Sequence, residues 1–258
     1  MPSFIPKSKK VTEKTHWGSV ASWYDKTVTN PNSFQNAIIA PNLLRLMDLQ
    51  KSDVVLDMAC GSGFFAQKIA PNVTKVVGVD FGLDLINLAK KNNNCPNVKY
   101  LYGNAENWCE GQYDQILICL ALQNIQNPEA VIANFAQMLN KNGKIHIVLN
   151  HPAFRISGQS SWQWDEQNYC QFRRVDKYLS NQKSEIIMNP SNPKSEITIS
   201  FHRPLQYWFK LFAKNNLCVL GMEEWISHIP QDQGPKTQSL ENARKEFPMF
   251  MYLQLKKI

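Results

Sequence analysis

Short apolar runs alternate with amphipathic stretches through the middle of the chain. The apolar runs predict five strands, at residues 54–57, 75–80, 98–102, 115–120 and 144–149. Apolar residues at helical spacing predict helices between most of them, at residues 64–70, 83–91 and 128–139. Because strands separated by helices form right-handed βαβ units, this region predicts a parallel sheet.

The two flanks of this region predict further elements. Helical spacing predicts helices at residues 15–28, 36–46 and 205–214, and two final strands are expected at residues 217–220 and 249–255. Residues 151–203 are polar and aromatic without a regular period, apart from a hairpin expected at residues 185–188 and 196–201. The pattern therefore predicts an α/β fold: a Rossmann-like, seven-stranded, mostly parallel sheet with helices on both faces, an antiparallel final strand and a cap insertion after strand five.

The composition is that of a globular protein. Hydrophobic residues make up 43% and charged residues 19% of the 258 residues. No apolar run approaches the roughly 18 residues that cross a bilayer, and residues 1–10 lack the apolar core of a signal peptide. We therefore expect a short basic tail, no membrane span and a cytoplasmic protein. The six cysteines form no CxxC pair and have no histidines at metal spacing, which predicts free thiols and no metal site.

The net charge of +7 lies in the flanks. Residues 51–150 carry eight basic and eight acidic side chains, residues 1–50 carry six and three, and residues 151–258 carry fourteen and ten. A basic flank attracts nucleic acid or an anionic substrate. A solvated basic surface has the same composition, so the charge leaves these alternatives open.

Three loops at the carboxyl ends of predicted strands contain residues suited to a nucleoside. Residues 57–63, DMACGSG, are small enough to let a ligand approach the backbone, and a helix with free N–H groups follows. Asp80 ends the second strand, where a carboxylate accepts hydrogen bonds from ribose hydroxyls. Residues 104–106 follow the third strand, where an amide and a backbone N–H bind the edge of adenine. These loops meet at the ligand-binding edge of a parallel sheet, although a glycine loop with an acid alone suits NAD equally well.

These loops, together with the returning final strand, resemble the class I S-adenosylmethionine-dependent methyltransferases, in particular the type 11 methyltransferases. VLDMACGSG, VVGVDFGLDLINLAK and LYGNAENW resemble the first three motifs of that family. QYDQILICLALQNIQNP resembles its fourth-strand motif and MLNKNGKIHIVLN its fifth strand. The resemblance covers about residues 50–150. Asn104 stands where the family often has aspartate, and Ala59 replaces the first glycine of the loop.

The resemblance implies S-adenosylmethionine as cofactor and S-adenosylhomocysteine as product. Residues 57–63 would line the methionine part, Asp80 would hold the ribose, and Phe81 would lie against the adenine. The loop after strand four would lie near the sulfonium. The implied cofactor-binding residues are Asp57, Ala59, Cys60, Gly61, Gly63, Asp80, Phe81, Asn104, Ala105, Glu106, Leu120, Ala121 and Gln123.

The same resemblance implies four regions along the chain. Residues 1–50 would form an N-terminal tail and capping helices, and residues 51–150 the S-adenosylmethionine-binding core. Residues 151–203 would form an acceptor lid that contains the β-hairpin. Residues 204–258 would supply a C-terminal helix and the last strands of the core sheet.

Candidate acceptor-site residues lie in the segments that would cover the cofactor. His151 directly follows strand five and is the first candidate base, and Tyr24 is a second candidate catalytic residue. Guanidinium groups in the lid suit a carboxylate or phosphate on the acceptor. The candidate substrate-binding residues are Trp17, Trp23, Arg155, Arg173 and Arg174, and His202, Arg203 and His228 are further candidates. A turn histidine, packed aromatic rings and solvated arginines are the structural alternatives.

The aromatic lid predicts a small, partly apolar methyl acceptor. The stretch after strand four reads LALQNIQ and lacks the Asn/Asp-Pro-Pro-aromatic motif of DNA amino-methyltransferases. Two other hypotheses remain: an RNA or protein methyltransferase that uses the basic flanks, and a catalytically silent cofactor-binding partner subunit. Nucleic acid is thus an alternative partner but not the favoured one, and the oligomeric state is not predicted.

Overall fold

The computed structural model describes residues 17–189, residue 195 and residues 197–258. The predicted basic tail, the start of the first predicted helix at Thr15, most of the hairpin turn (190–194) and Glu196 lie outside the described residues. Within them, no helix is both long enough and apolar enough to span a membrane.

Seven helices and eleven strands follow one another along the described chain. Two helices come first: α1 (Ala21–Thr29), after a 3-10 turn at Trp17–Val20, and α2 (Ala40–Met47), after a π-helical turn at Gln35–Ile39. The alternating region comprises β1 (Val54–Met58), α3 (Phe64–Ile69), β2 (Lys75–Asp80), α4 (Leu83–Lys91), β3 (Val98–Tyr102), β4 (Tyr113–Cys119), α5 (Pro128–Met138) and β5 (Leu139–Asn150). The rest of the chain comprises β6 (Ser160–Asp165), β7 (Cys170–Val175), β8 (Gln182–Ile187), β9 (Ile197–His202), α6 (Leu205–Lys214), β10 (Leu217–Trp225), α7 (Thr237–Glu246) and β11 (Phe250–Lys257).

Seven strands form one mixed sheet in the order β10-β11-β5-β4-β1-β2-β3. Strands β1 to β5 pair in parallel, and β11 pairs antiparallel with both β5 and β10. Six strands therefore run one way and β11 runs the other. This confirms the predicted seven-stranded, mostly parallel sheet with an antiparallel final strand.

The strand order reverses between β1 and β4. The chain moves outward through β2 and β3 on one side of β1, and then through β4 and β5 on the other side. Crossover connections of opposite direction leave a crevice at the carboxyl ends of the two strands that flank the reversal. The loops after β1 and β4 therefore border the natural ligand site of this sheet.

Both faces of the sheet are covered by helices, as predicted for a sheet of apolar strands. Alternate strand residues point to opposite faces: Leu56 packs with α5 and α6, and Val55 packs with α2, α3 and α4. Helix α5 begins at a proline, and the side chain of Asn127 caps it by accepting a hydrogen bond from the Ala130 N–H at 3.2 Å. Burial on both faces fixes the register of the strands.

Residues 151–203 form two hairpins, where the sequence predicts one. Strands β6 and β7 pair with each other, β8 and β9 pair with each other, and neither described pair joins the seven-stranded sheet. The β6–β7 hairpin escapes sequence prediction because neither strand has a buried face: all twelve residues are partly or fully exposed. Without burial, the sequence keeps no strict alternation.

Two further elements differ from the prediction for the same reason. Helix α7 was not predicted, and Ala243 is its single buried residue, so it carries almost no apolar periodicity. Strand β10 extends to Trp225, beyond the predicted residue 220, through a polar stretch at the edge of the sheet. Elements that bury little surface leave little signal in the sequence.

A chain of four buried polar side chains crosses the sheet from β11 to β1. The Tyr252 hydroxyl lies 2.8 Å from Nδ1 of His146, and Nε2 of His146 lies 2.7 Å from Oε1 of Gln115. Nε2 of Gln115 donates to Oδ2 of Asp53 at 3.1 Å. Since the glutamine oxygen only accepts, the proton of His146 sits on Nε2, and Nδ1 accepts from the tyrosine. Every link in this chain is satisfied while His146 stays neutral.

Replacing His146 by glutamine is expected to remove a pH dependence of stability. Burial lowers the pKa of His146 from 6.5 to about 3, so below pH 6.5 the unfolded chain binds a proton that the folded protein excludes. The parent therefore loses stability as the pH falls, by up to about 1.4 kcal/mol per pH unit. Urea unfolding should show the stability difference between parent and His146→Gln shrinking by about 2 kcal/mol from pH 7 to pH 5. The matched control is His228→Gln, at an exposed histidine; an equal pH effect in both variants would contradict the assignment.

Candidate active site

A cavity of about 1000 Å³ opens at the carboxyl ends of β1, β2, β4 and β5. One half of its wall is formed by the loops after β1, β2, β3 and β4. The other half is formed by residues of the 151–203 segment and by the start of α6, including Arg155, Arg173, Phe201, Arg203 and Trp208. The volume lies at the upper end of the range for small-molecule sites, so it has room for a cofactor and a second molecule.

The loop after β1 follows a path that requires small residues. Ala59, Gly61 and Gly63 have positive φ angles of 57°, 57° and 84°. A Cβ added to Gly61 would lie 3.0 Å from Cε1 of Tyr24, and one added to Gly63 would lie 2.3 Å from the hydroxyl of Tyr100. The loop therefore needs glycine both for its backbone conformation and for its close packing.

Asp80 joins the loop after β1 to the loop after β2. Its Oδ2 accepts from the Gly61 N–H at 2.9 Å, and its Oδ1 accepts from the Gly82 N–H at 2.7 Å. Burial raises the pKa of this carboxyl, and the bonds from these backbone N–H groups act in the opposite direction. Each carboxylate oxygen keeps a lone pair for a further donor. The Asp80 carboxylate thus holds the two loops together and can still accept hydrogen bonds from a ligand.

Asp57 is buried at the end of β1, with 1% of its surface exposed, and its Oδ2 has no hydrogen-bond partner. Burial raises the pKa of this carboxyl to about 8, and the nearby charge of Asp80 adds to the effect. Cys60 and Cys119, which also lie nearby, have thiol pKa values well above the ordinary range because they are buried. Burial therefore favours the uncharged form of all three groups; Cys119 lines the cavity, whereas Asp57 and Cys60 are buried and do not line it.

The loops after β2 and β3 lie side by side at the cavity. The rings of Phe81 and Tyr102 stack, with centroids 5.6 Å apart. Oδ1 of Asn104 accepts from the Glu106 N–H at 3.0 Å, and Oε1 of Glu106 accepts from the Asn127 N–H at 2.9 Å. Asn104 is therefore a turn residue, and its side-chain NH₂ is the group left to meet a ligand.

The loop after β4 is strained and carries an unpaired acceptor. Leu120 has a positive φ of 53°, which is costly for a residue with a branched side chain. Nε2 of Gln123 donates to the Leu120 carbonyl at 2.8 Å, which holds that conformation, while Oε1 of Gln123 is buried without a partner. Both residues line the cavity, so the strain and the unpaired oxygen lie at the site.

The N-terminal aromatic residues divide between the cavity and the surface. Trp17 and Tyr24 line the cavity, and their rings meet edge to face at 5.8 Å. Trp23, the neighbour of Tyr24 on α1, does not line it. Burial raises the pKa of Tyr24, and the nearby Cys119, Asp80 and Asp57 add to the effect, so its hydroxyl stays protonated.

The predicted lid arginines also divide. Arg155 and Arg173 line the cavity, and Arg174 does not. Arg173 and Arg174 are neighbours on β7, so their side chains point to opposite faces. Nε of Arg174 pairs with Oδ2 of Asp176 at 2.9 Å on the exposed face. The structure therefore brings two of the three predicted arginines to the site.

The structure does not bring His151 to the cavity. With 1% of its surface exposed, it lies beneath the wall, and its Nε2 is 2.6 Å from Oε1 of Glu224 on β10. Its Nδ1 accepts from the Ala153 N–H at 3.2 Å. Both ring nitrogens are thus engaged in holding the turn after β5 against the edge of the sheet.

Three residues of the cavity carried only a weak signal in the sequence. His202 ends β9, Arg203 follows it, and Trp208 lies on α6, where the sequence offers an apolar helix bordered by basic residues. Their position at the cavity follows from the way the β8–β9 hairpin folds back over the loop after β4. His228, the remaining candidate, is exposed and lies outside the lining.

Comparisons with known proteins identify the class of the domain. Residues 55–143 match the model of the methyltransferase domain family. A demethylmenaquinone methyltransferase from Renibacterium salmoninarum is 26% identical over 103 residues, which are 39% of this chain and 43% of that protein. A ubiquinone biosynthesis O-methyltransferase from Coxiella burnetii is 28% identical over 120 residues, which are 42% of this chain and 49% of that protein. The chain thus spans less than half the length of each of these relatives.

The fold extends the likeness beyond the matched residues. The crystal structure of an S-adenosylmethionine-dependent methyltransferase from Mesorhizobium loti has a TM-score of 0.68 and 17% identity, over 84% of this chain and 96% of that chain. The family match identifies residues 55–143 as a methyltransferase domain, and the likeness to this structure shows that the chain shares the fold of class I methyltransferases over most of its length. The resemblance inferred from the motifs is confirmed, and S-adenosylmethionine is the cofactor of this class.

Replacing Asp80 by alanine is expected to weaken S-adenosylhomocysteine binding by about 2–3 kcal/mol, the range for losing charge-assisted hydrogen bonds. The variant should still fold, because the carboxylate lies at a strand end. Isothermal calorimetry measures the affinity, and thermal unfolding measures the stability. The matched control is Asp84→Ala, at an exposed position on α4 outside the cavity. If Asp80→Ala bound S-adenosylhomocysteine as tightly as the parent does, Asp80 would only hold the loops and would not bind the cofactor.

Proposed function

We propose that this protein transfers the methyl group of S-adenosylmethionine to a small, partly apolar acceptor. The observation that carries the proposal is the continuous cavity of about 1000 Å³, which joins the glycine loop to an end rich in aromatic and arginine side chains. An acceptor enclosed beside the cofactor in one cavity is a small molecule. Two of the relatives are named for demethylmenaquinone and for ubiquinone biosynthesis, and these names support the same substrate class, whereas a relative named as a 23S rRNA methyltransferase supports the RNA alternative.

The loops of the sheet fit the cofactor. Asp80 would hold the ribose hydroxyls with its remaining lone pairs, and Phe81 would lie against the adenine beside Tyr102. The unpaired oxygen of Gln123, a residue that lines the cavity, would accept from the amino group or from ordered water around the methionine part. The loop after β1 has small residues at its positive φ angles, so a ligand can approach its backbone without a clash.

The chain's part in the reaction is to align the acceptor and to exclude water. When bound, the cofactor supplies an activated methyl group on a positively charged sulfur. Tyr24 and Trp17 cover the glycine loop, and the protonated Tyr24 hydroxyl donates a hydrogen bond and does not act as a base. Residues 151–203 form the lid over the acceptor half, which agrees with their position outside the sheet.

His202 is the histidine best suited to take a proton from the acceptor. Among the described histidines, it is the one that lines the cavity. Its Nε2 lies 2.7 Å from the Tyr178 carbonyl, which only accepts, so Nε2 carries the proton and Nδ1 is free to act as base. Burial lowers the pKa of His202, and the neighbouring Arg203 adds to the effect, so the ring is neutral at pH 7.

The function is tested by ligand binding and by labelling. Calorimetry should detect S-adenosylhomocysteine and not NAD. Purified protein incubated with methyl-labelled S-adenosylmethionine and fractionated cell extract should transfer label to the metabolite fraction. Label in RNA or in protein would replace the small acceptor with a macromolecule. Binding of S-adenosylhomocysteine without transfer to any fraction would favour the silent partner subunit, and tight NAD binding alone would overturn the proposal.

The pH profile of transfer tests His202, provided that the cofactor is saturating. Because its pKa is lowered from 6.5 and only the neutral ring accepts a proton, the rate should stay level from pH 8 to 6.5 and fall at lower pH. His202→Gln should reduce turnover by about 10²–10⁴-fold, the usual contribution of a general base. His228→Gln is the matched control. A His202→Gln variant with the parental rate and profile would exclude His202 as the base.

A further inference from the structure

Arg203 is a buried cation in the wall of the acceptor half of the cavity. It follows β9, and 8% of its surface is exposed. Its Nη2 donates to the carbonyls of Ile125 and Gln126 at 3.1 and 2.8 Å. Its guanidinium carbon lies over the rings of Phe201, Tyr207 and Trp208, at 5.1, 5.5 and 5.8 Å from their centroids. The position of the group is therefore tightly determined.

The other terminal nitrogen of Arg203 has no partner. Nη1 is buried and makes no hydrogen bond, and no carboxylate of the described residues lies within 4 Å of the guanidinium. Burial lowers the pKa of Arg203, and the neighbouring Tyr207 and Glu129 partly oppose that effect; the Tyr207 hydroxyl donates to Oε1 of Glu129, and neither group accepts a well-formed hydrogen bond from Nη1. A buried cation without a directly paired carboxylate is costly, and an anion that enters the cavity would offset that cost.

The other charged side chains of the cavity wall also favour an anion in the acceptor half. Arg155 and Arg173 line the acceptor half, and neither pairs with a carboxylate in the described part of the chain. Nε and Nη2 of Arg173 donate to the Phe154 carbonyl and the Ser160 hydroxyl, both at 2.8 Å. The charged acids of the lining, Asp80 and Glu106, belong to the cofactor half. The acceptor half therefore attracts anions.

A purely structural role for Arg203 accounts for only part of this geometry. The bonds from Nη2 and the aromatic contacts hold the loop after β4 against α6, and they need only one edge of the guanidinium. Nη1 contributes nothing to that link. This unused, buried nitrogen belongs to a residue that lines the cavity, and a bound ligand would explain it.

We infer that the methyl acceptor carries an oxyanion, a carboxylate or a phosphate, which Arg203 binds through Nη1 while Arg155 and Arg173 add a positive field. The inference rests on the proposed function and names the substrate class of the same site. Guanidinium groups bind oxyanions through directed, charge-assisted hydrogen bonds. The rings of Phe201 and Trp208 beside it suit the apolar body of the molecule, so the acceptor is an apolar acid.

Binding of simple test compounds to the full chain tests whether the acceptor site binds an oxyanion. Benzoate, phenyl phosphate and the neutral isostere benzamide are titrated by calorimetry, with and without saturating S-adenosylhomocysteine. We expect benzoate or phenyl phosphate to bind at least about tenfold more tightly than benzamide, the factor that corresponds to about 1.4 kcal/mol. The better of the two anions distinguishes a carboxylate acceptor from a phosphate acceptor. Equal binding of benzamide, or no binding of either anion, would overturn the inference.

Two variants of Arg203 and one control variant test whether Arg203 binds the anion. Arg203→Gln should weaken anion binding by about ten- to a hundredfold, as expected for a lost charge-assisted bond, and should weaken S-adenosylhomocysteine binding much less, because the cofactor would contact Arg203 only indirectly, through the loop after β4. Arg203→Lys keeps the charge and should retain part of the affinity, which also covers the case in which the glutamine variant does not fold. Arg174→Gln, the same change at an exposed arginine outside the cavity, should have no effect.

The outcomes separate the two proposals. Parental anion affinity in the Arg203 variants would overturn the inference and leave the methyltransferase proposal intact. Failure of the parent to bind S-adenosylhomocysteine would count against the methyltransferase proposal, and the titrations without cofactor would still report on anion binding. An equal loss in Arg174→Gln would indicate general charge attraction and would also contradict a specific role for Arg203.

Discussion

The Asp80 carboxylate is the constraint on which the ligand-binding edge of the sheet depends. It bonds to the Gly61 and Gly82 N–H groups, and so it ties the loop after β1 to the start of α4. The loop after β1 passes three times through positive φ angles. Backbone carbonyls hold its Cys60 and Gly63 N–H groups, at 3.1 and 3.0 Å, and the Gly61 N–H between them is held by Asp80. The same carboxylate, once held, is available to a ligand.

Charge is separated along the cavity in a way that suits two different ligands. Carboxyl groups, those of Asp80 and Glu106, lie in the half formed by the sheet loops. Guanidinium groups, those of Arg155, Arg173 and Arg203, lie in the half formed by residues 151–203 and α6. Each half has a lining residue with a buried polar atom that lacks a partner, Oε1 of Gln123 and Nη1 of Arg203. Such atoms reduce the stability of the unliganded protein and are compensated when a ligand of opposite character binds.

Much of the fold and of the cofactor half could be predicted from the sequence because their signals are local. The central strands β1, β2, β4 and β5 contain apolar runs that are buried on both faces, and the loop residues stand at the ends of strands. The predictions that failed concern elements with little burial. The β6–β7 hairpin and α7 pack through a few long-range contacts, such as the bond from the Gln171 N–H to the Ser239 hydroxyl at 3.0 Å. No pattern within either segment reports that contact.

The sequence by itself determined the order of strands and helices, the small residues after β1 and the acid after β2, because periodicity and chain connectivity act over a few residues. Only the tertiary structure decided which side chains face the cavity. Arg173 and Arg174 are equivalent in the sequence until the pairing of β6 with β7 sets their faces. His151 is drawn beneath the wall by Glu224, which lies 73 residues further along the chain. His202 and Arg203 reach the loop after β4 because the β8–β9 hairpin folds back over it. These choices depend on contacts between segments far apart in the chain, which local patterns do not encode.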